Sequence, residues 1–161
     1  MHIRTFTEND LDNVIDLTIE TFGPFFEESF RPLMGELIYT NQHADWRDDY
    51  RREVPKLHDP EQHKYVAVAE SDSGDLAGYV AWSVDLPRRN GEISHLAVAA
   101  THRRQSLGAT LCEHAFTNMR TQGAEVVMIS TGGDPFHAPA RALYESLKCT
   151  MLPVSVYYRQ L

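Results

Sequence analysis

The sequence predicts an α/β (α+β) fold with a mixed sheet and helices over both of its faces, and three observations point there. Hydrophobic spacing switches repeatedly between a helical period and a strand period. The resulting order reads β–α–α–β–β–β–α–β–α–β, with strands dominating the middle. No internal repeat, low-complexity tract or Pro/Gly/Ser linker splits the 161 residues, and 42% apolar with 24% charged residues is an ordinary globular balance. One domain over residues 1–161 is therefore expected.

The elements follow in order. Residues 2–7 alternate and read as a short strand. Thr7, Glu8, Asn9 and Asp10 offer helix N-caps. Leu11, Val14, Ile15, Leu17, Ile19 and Phe22 then form a helical stripe that is expected to stop at Gly23-Pro24. Residues 25–57 are helical but irregular, with Phe26, Phe30, Leu33, Leu37 and Ile38 at three- and four-residue spacings. A second piece over 45–54 carries Trp46 and Tyr50 four apart. Residues 65–69 and 76–84 are strands around a turn at 71–75 containing Gly74, hence an antiparallel hairpin. After a turn at 87–91, residues 92–99 form another strand. A helix over about 105–122 buries Leu107, Leu111, Cys112, Ala115, Phe116 and Met119 and stops at Gly123. A β-branched strand covers 125–131, Gly132-Gly133-Asp134-Pro135 breaks it, and a short helix carries Ala140, Leu143, Tyr144 and Leu147. Residues 154–159 close the chain as a last strand, able to pair across a homodimer although nothing requires it.

Charge narrows the partners. Of 23 acidic and 15 basic side chains, 13 and 6 fall in residues 1–60 (net −7), leaving 10 and 9 (net −1) in residues 61–161. Such a surface repels nucleic acid and anionic membrane and suits a cationic small molecule or peptide amine, or else serves solubility alone. Two cysteines, Cys112 and Cys149, offer no disulfide framework, and no apolar run reaches membrane-spanning length. With no leader pattern at the N-terminus, a cytoplasmic protein is expected. The eight histidines are scattered, so no metal site is expected.

The informative stretch is residues 92–111. A strand enters a basic turn, and the turn opens a long amphipathic helix. Amide groups at that helix start lack internal partners and favour an anion, and Arg103 and Arg104 stand beside them. They are either phosphate ligands or solvated turn residues. This stretch resembles motif A of the GNAT superfamily of acetyl-CoA-dependent N-acetyltransferases, whose pyrophosphate loop reads Arg/Gln-x-x-Gly-x-Gly/Ala. Here it reads Arg103-Arg104-Gln105-Ser106-Leu107-Gly108 and then Ala109, with Ser106 at the first family glycine. Downstream, His137-Ala138-Pro139-Ala140-Arg141-Ala142-Leu143-Tyr144 resembles the family pattern Asn-x-x-Ala-x-x-Leu-Tyr. His137 replaces the asparagine, and Lys148 stands where a glycine is usual.

The resemblance implies a GNAT-like mixed, mostly antiparallel central sheet. It implies a helical part at about 8–57 for the acceptor and a part at about 92–147 for acetyl-CoA. The main chain of Leu96, Ala97 and Val98 would hold the pantetheine arm, with Arg103, Arg104, Gln105, Ser106, Leu107, Gly108, Ala109, His137 and Tyr144 completing the coenzyme site. Thr21-Phe22-Gly23-Pro24-Phe25-Phe26 and the 131–139 segment look like the aminoglycoside-modifying branch, and most nearly the kasugamycin 2′-N-acetyltransferases, which would confer antibiotic resistance. Acetyl transfer needs a neutral amine, a polarised thioester carbonyl and a protonated leaving thiolate. Glu92 sits where many relatives place the base, and is otherwise a solvated glutamate. His95 is an alternative base or a structural histidine. On a regular strand the two point to opposite faces, and only a bulge would bring them together. Tyr144 is the candidate acid, or an aromatic core residue, and the Val98 N–H would polarise the carbonyl. Phe25, Phe26, Glu28, Trp46, Asp49, Tyr50, Trp82, Asp85 and Asp134 form the acceptor pool, since aromatics stack on sugars and carboxylates pair with ammonium groups. The alternatives are a protein or peptide N-acetyltransferase and a non-catalytic acyl-CoA-binding module.

Overall fold

Strands His2–Thr5 (β1), Lys64–Glu70 (β2), Leu76–Asp85 (β3), Asn90–Val98 (β4) and Val126–Ile129 (β5) lie side by side in that order in a computed structural model that describes all 161 residues. The first four pair antiparallel, and β4 pairs β5 in parallel. The parallel step needs a crossover, which the helix Leu107–Thr121 (α5) supplies. The expected mixed, mostly antiparallel sheet is thus present.

The long connection from β1 to β2 is helical. Leu11–Pro24 (α1) runs without a break into a π-helix, Phe25–Phe30, and then into Arg31–Met34 (α2). Glu36–His43 (α3) and Trp46–Glu53 (α4) follow. Gly23-Pro24 therefore does not end the first helix. Its glycine answers a packing demand: a Cβ there would come within 2.5 Å of Cη2 of Trp46, which lies across α1. The ring of Pro24 removes one donor, and the wider π turn that follows absorbs the misfit.

Each face of the sheet has its own core. Leu107, Leu111, Cys112, Ala115 and Met119 of α5 pack on Val80, Trp82, Val84 and Ile93. On the other face Val14 and Leu17 of α1 pack on Val66, Val68, Tyr79, Ala81 and Ala97. The fully buried Tyr79 hydroxyl is satisfied by Thr18 Oγ1 at 2.7 Å, and the Thr18 hydroxyl donates to the Val14 carbonyl at 2.6 Å. A third cluster of Phe26, Phe30, Tyr39 and Trp46 holds the N-terminal helices to one another.

Asp10 fixes how the helical segment joins the sheet. Its carboxylate accepts two bonds of 2.8 Å from the Arg4 guanidinium on β1, and one of 2.8 Å from the Thr7 amide. Arg4 also reaches Glu70 on β2 at 2.9 Å. The closing helix Ala138–Ser146 (α6) forms as expected. The last expected strand does not: residues 151–161 take no regular structure and make no hydrogen bond. Residues 149–154 border the same groove as the free edge of β5, but no ladder forms between them.

Candidate active site

β4 carries an irregularity at the point where its chemistry lies. Trp82 of β3 is opposite Ile93, but the next pair is Ala81 with His95, so Ser94 is an extra residue in β4. Such a bulge rephases the alternation of side chains. Ile93 packs under α5, whereas Ala97 packs under α1. Glu92 and His95 consequently share the α1 face, contrary to what a regular strand gives. The His95 ring lies edge-on to Phe22 and Tyr50, with centroids 6.1 and 6.3 Å away. Its Nδ1 is buried without a partner, and burial pushes its pKa below the usual 6.5, so the ring is neutral at pH 7. Glu92 stands opposite Ser83, and its partly exposed carboxylate has no salt-bridge partner.

Just beyond, the sheet opens. Pairing of β4 with β5 ends at Ile93 and Ile129, while β4 continues to Val98. The Ala99 amide donates to Ala77 at 2.9 Å. Main-chain groups alternate in direction along a strand, so those of Ala97 face β3 and those of Leu96 and Val98 face the gap. Arg103 Nε already occupies the Val98 carbonyl at 3.0 Å, leaving the Val98 amide directed into the opening.

The basic turn follows. Arg104 and Ser106 both adopt left-handed backbone, with φ of 61° and 62°, before α5 starts at Leu107. Thr110 is the first residue of the helix whose amide bonds back, to Ser106 at 3.0 Å, and the amides of residues 105–109 find no acceptor within the chain. Five unpaired donors at a helix start, with the exposed Arg104 alongside, form a cradle for an anion. Gly108 keeps the cradle tight: a Cβ there would stand 3.2 Å from Leu143 Cδ2 and 3.9 Å from Val98 Cγ2.

The loop after β5 makes the opposite wall. Asp134 accepts from the Phe136 amide at 3.0 Å and contacts His137 Nδ1 at 2.6 Å. Arg141 ties the Gly132 and Asp134 carbonyls at 2.6 and 2.7 Å. The His137 ring meets Phe25 at 4.8 Å, so this loop closes against the π-helix. Tyr144 on α6 is half-buried against the α5 core, and burial raises its hydroxyl to about 12. It is a proton donor at neutral pH.

The acceptor pool divides. Phe22 and Tyr50 pack around His95 on the α1 face of the bulge, while Phe25 packs on His137 and Phe136 of the loop after β5. Tyr50 has its hydroxyl pushed by burial up to about 12. Phe26 and Trp46 are buried and stacked on each other at 5.1 Å, so they build the wall from behind. Glu28 is exposed, Asp49 pairs with Arg52, and Asp134 is engaged by His137. Trp82 lies on the other face, stacked on Tyr65 under α5, and Asp85 caps the Arg88 amide at the far end of β3. Two residues stand out that sequence reasoning did not single out for the site. Phe22 lies in the helical stripe and in the 21–26 segment that resembles the aminoglycoside-modifying branch, but it is not among the expected acceptor residues. Glu27 accepts from the Tyr39 hydroxyl at 2.7 Å, the Trp46 indole at 3.1 Å and Arg31 at 3.0 Å, and these donors hold its carboxyl down at about 2. Its four-residue spacing from Arg31 is a local pattern, but Tyr39 and Trp46 come from two other helices and no spacing marks them.

An anion cradle at the start of α5, a strand pair that parts beside it and a tyrosine-bearing helix across the gap are the parts of an acyl-coenzyme A fold. Residues 18–148 match the acetyltransferase (GNAT) family, and the chain belongs to that family. It is 32% identical to the N-acetyltransferase YsnE of Bacillus subtilis over 75 residues, 47% of this chain and 49% of that protein; the match thus spans about half the length of this curated relative. Among solved structures, a variant of the BH1408 protein from Bacillus halodurans superposes with a TM-score of 0.78 over 100% of both chains at 18% identity. The aminoglycoside 6′-N-acetyltransferase AAC(6′)-IG of Acinetobacter haemolyticus superposes with a TM-score of 0.69 over 100% of this chain and 99% of that one at 15% identity. At these identities the likeness is one of fold.

Proposed function

We propose that this protein transfers the acetyl group of acetyl-CoA to an amine of a small cationic molecule of the aminoglycoside class. The observation that carries the reading is the bulge at Ser94, which sets Glu92 and His95 together on the α1 face at the point where β4 and β5 part.

In this reading the coenzyme phosphates sit on the amides of residues 105–109 with Arg104 beside them. The pantetheine arm runs along the open edge of Leu96 and Val98, and the Val98 amide polarises the thioester carbonyl. His137 keeps Nδ1 on Asp134 and offers Nε2 toward the arm. The amine loses a proton to the neutral His95 or to Glu92, and its nitrogen attacks the carbonyl carbon. As the C–N bond forms and the C–S bond breaks, the Tyr144 hydroxyl protonates the leaving thiolate. Phe22, Phe25 and Tyr50 give the acceptor ring apolar surfaces, and the exposed Glu28 in the acidic N-terminal region attracts its ammonium groups. The shared fold with an aminoglycoside 6′-N-acetyltransferase supports the acceptor class.

The test is coenzyme thiol release over a panel of aminoglycosides, kasugamycin among them, alongside peptides with free amines. Turnover on an aminoglycoside is expected, and turnover on kasugamycin would narrow the acceptor to that kind. Turnover confined to peptides overturns the acceptor class. Acetyl-CoA binding without any turnover overturns the catalytic reading.

A further inference from the structure

The loop after β5 is built around one histidine. Burial raises the pKa of Asp134, but its contacts with His137 and with backbone amides outweigh this and hold the carboxyl below its ordinary 3.8. The ionised carboxylate can only accept. Nδ1 of His137 therefore carries the proton of their 2.6 Å contact, and in the neutral ring Nε2 carries the lone pair. The surroundings fix this pair. Arg141 pins the Gly132 and Asp134 carbonyls. The Phe136 amide holds the second oxygen of the carboxylate at 3.0 Å. Phe25 and Phe136 stand edge-on to the imidazole, with centroids 4.8 and 5.0 Å away. Gly132 makes the room: a Cβ there would collide with Asp134 Oδ1 and stand 2.5 Å from His137 Nδ1 and 3.1 Å from its Cε1. The backbone thus lies against the Nδ1–Cε1 edge of a side chain that is 20% exposed, and Nε2 is left on the other edge.

A coenzyme contact needs only a hydrogen-bonding group here. An imidazole held by a carboxylate can also take up a proton, because the carboxylate stabilises the imidazolium that forms. Its place suits that use. His137 caps α6, and Tyr144 lies on the same helix, about two turns further on and so on the same side, while Phe25 of the π-helix packs on the imidazole. Acetylation of an ammonium group removes two protons from one nitrogen. In the acetyl-transfer reading above, His95 or Glu92 takes the first before attack, and Tyr144 gives one to the leaving sulfur. A second proton then remains on nitrogen, and Tyr144 is left a phenolate that must regain one.

We propose that His137, held by Asp134, is a second base of the acetyl transfer, its Nε2 taking the proton that leaves nitrogen as the tetrahedral adduct collapses to the amide. This rests on the acetyl-transfer reading. The C–N bond is kept, the C–S bond breaks, and the sulfur leaves with the Tyr144 proton. The imidazolium at His137 then returns its proton to the phenolate, so that one proton per turnover reaches solvent, through the first base. His137 is a catalytic residue in this scheme, and Asp134 is a positioning residue.

The test is steady-state kinetics with acetyl-CoA and an amine that the wild-type protein acetylates. No wild-type turnover on any amine overturns the transfer reading and this proposal with it; each result below overturns the proposal alone. His137→Ala is expected to lower kcat about 100-fold or more, with a smaller change in the KM for acetyl-CoA. Imidazole added to the medium is expected to restore its turnover and to saturate, since it fills the space the side chain leaves. A raised KM with kcat unchanged makes His137 a coenzyme ligand only, and a lowered kcat that imidazole does not restore makes it a packing residue. Asp134→Asn is expected to lower kcat when His137 is present and to cost nothing further in His137→Ala rescued by imidazole, because free imidazole needs no holder. Equal losses in both backgrounds mean that Asp134 only shapes the loop, and the dyad falls. Gly132→Ala removes no reacting group and is expected to lower kcat by displacing the pair. If His137→Ala does not fold, kcat unchanged in both Asp134→Asn and Gly132→Ala overturns the proposal.

Discussion

Ser106 and Lys148 stand where relatives carry glycine, and both adopt left-handed backbone, with φ of 62° and 67°. Ser106 shapes the anion cradle and Lys148 ends α6, as a left-handed residue commonly ends a helix. A side chain in that region costs about 1–2 kcal/mol, and glycine's added freedom when unfolded offsets about 0.5–1 kcal/mol of any relief. Ser106→Gly is therefore expected to raise stability by about 0.5–1 kcal/mol in denaturant titrations while retaining acetyl-CoA binding. The reacting groups are tested by their pH behaviour. Burial lowers the His95 pKa from 6.5, so a base at this position keeps activity through neutrality and loses it only as pH falls through the lowered value. His95→Asn is expected to lower kcat more than it raises KM and to abolish that acid limb. Should the limb persist there and vanish in Glu92→Gln, Glu92 is the base. Tyr144→Phe is expected to slow turnover about 10- to 100-fold with little change in coenzyme affinity; an unaltered rate would return Tyr144 to a packing role.

At the scale of elements, periodicity was a good guide wherever neighbours along the chain decide the outcome. The α5 stripe, the β2–β3 hairpin and α6 all lie where the spacing puts them, within a few residues. It failed at Gly23-Pro24 because local breakers were outweighed by a tertiary contact. A glycine to alanine change inside a helix ordinarily stabilises by about 1 kcal/mol. Here the new Cβ meets the Trp46 ring, so Gly23→Ala is expected instead to cost about 1–3 kcal/mol as overpacking, read as a lowered melting temperature. A gain in stability would mean that α4 does not press on α1 at this point. Periodicity also failed at residues 154–159, for the opposite reason: the strand pattern is there, but no edge within this chain pairs with it.

Two carboxylates fasten the N-terminal helices, Asp10 to the sheet through Arg4 and Glu27 to one another. Arg4 keeps Asp10 down at about 2, from an ordinary 3.8, where β1, α1 and β2 meet. Tyr39, Trp46 and Arg31 keep Glu27 down at about 2, from 4.5. Both groups bind protons more weakly folded than unfolded, so their stabilisation is complete above about pH 5 and is lost as pH falls through about 4 toward 2. Urea midpoints measured from pH 7 to pH 2 are expected to fall across that window, and Asp10→Asn is expected to flatten part of the fall. A midpoint independent of pH there would show that these carboxylates do not fasten the helices. The acidic N-terminal region has a mixed meaning at this scale: Asp10, Glu27, Glu36, Asp48 and Asp49 are spent on internal pairs, while Glu28 remains exposed beside the aromatic cluster.

The sequence by itself determined the class of fold, the order of its elements as far as the closing helix, the strand–turn–helix with free amides and the helix bearing Tyr144. Each of these depends on residues close together in the chain, whose spacing, caps and turns are read directly from it. Only the tertiary structure decided that Glu92 and His95 face the same way. It likewise decided that Phe22 joins the site, that Glu27 rather than Glu28 is the fastened carboxylate, and that Trp82 lies under the opposite face. Those outcomes turn on one inserted residue at Ser94 and on contacts between elements remote in sequence. Hydrophobic spacing reports whether a side chain is buried, but not which partner it meets or on which side of a bulged strand it emerges.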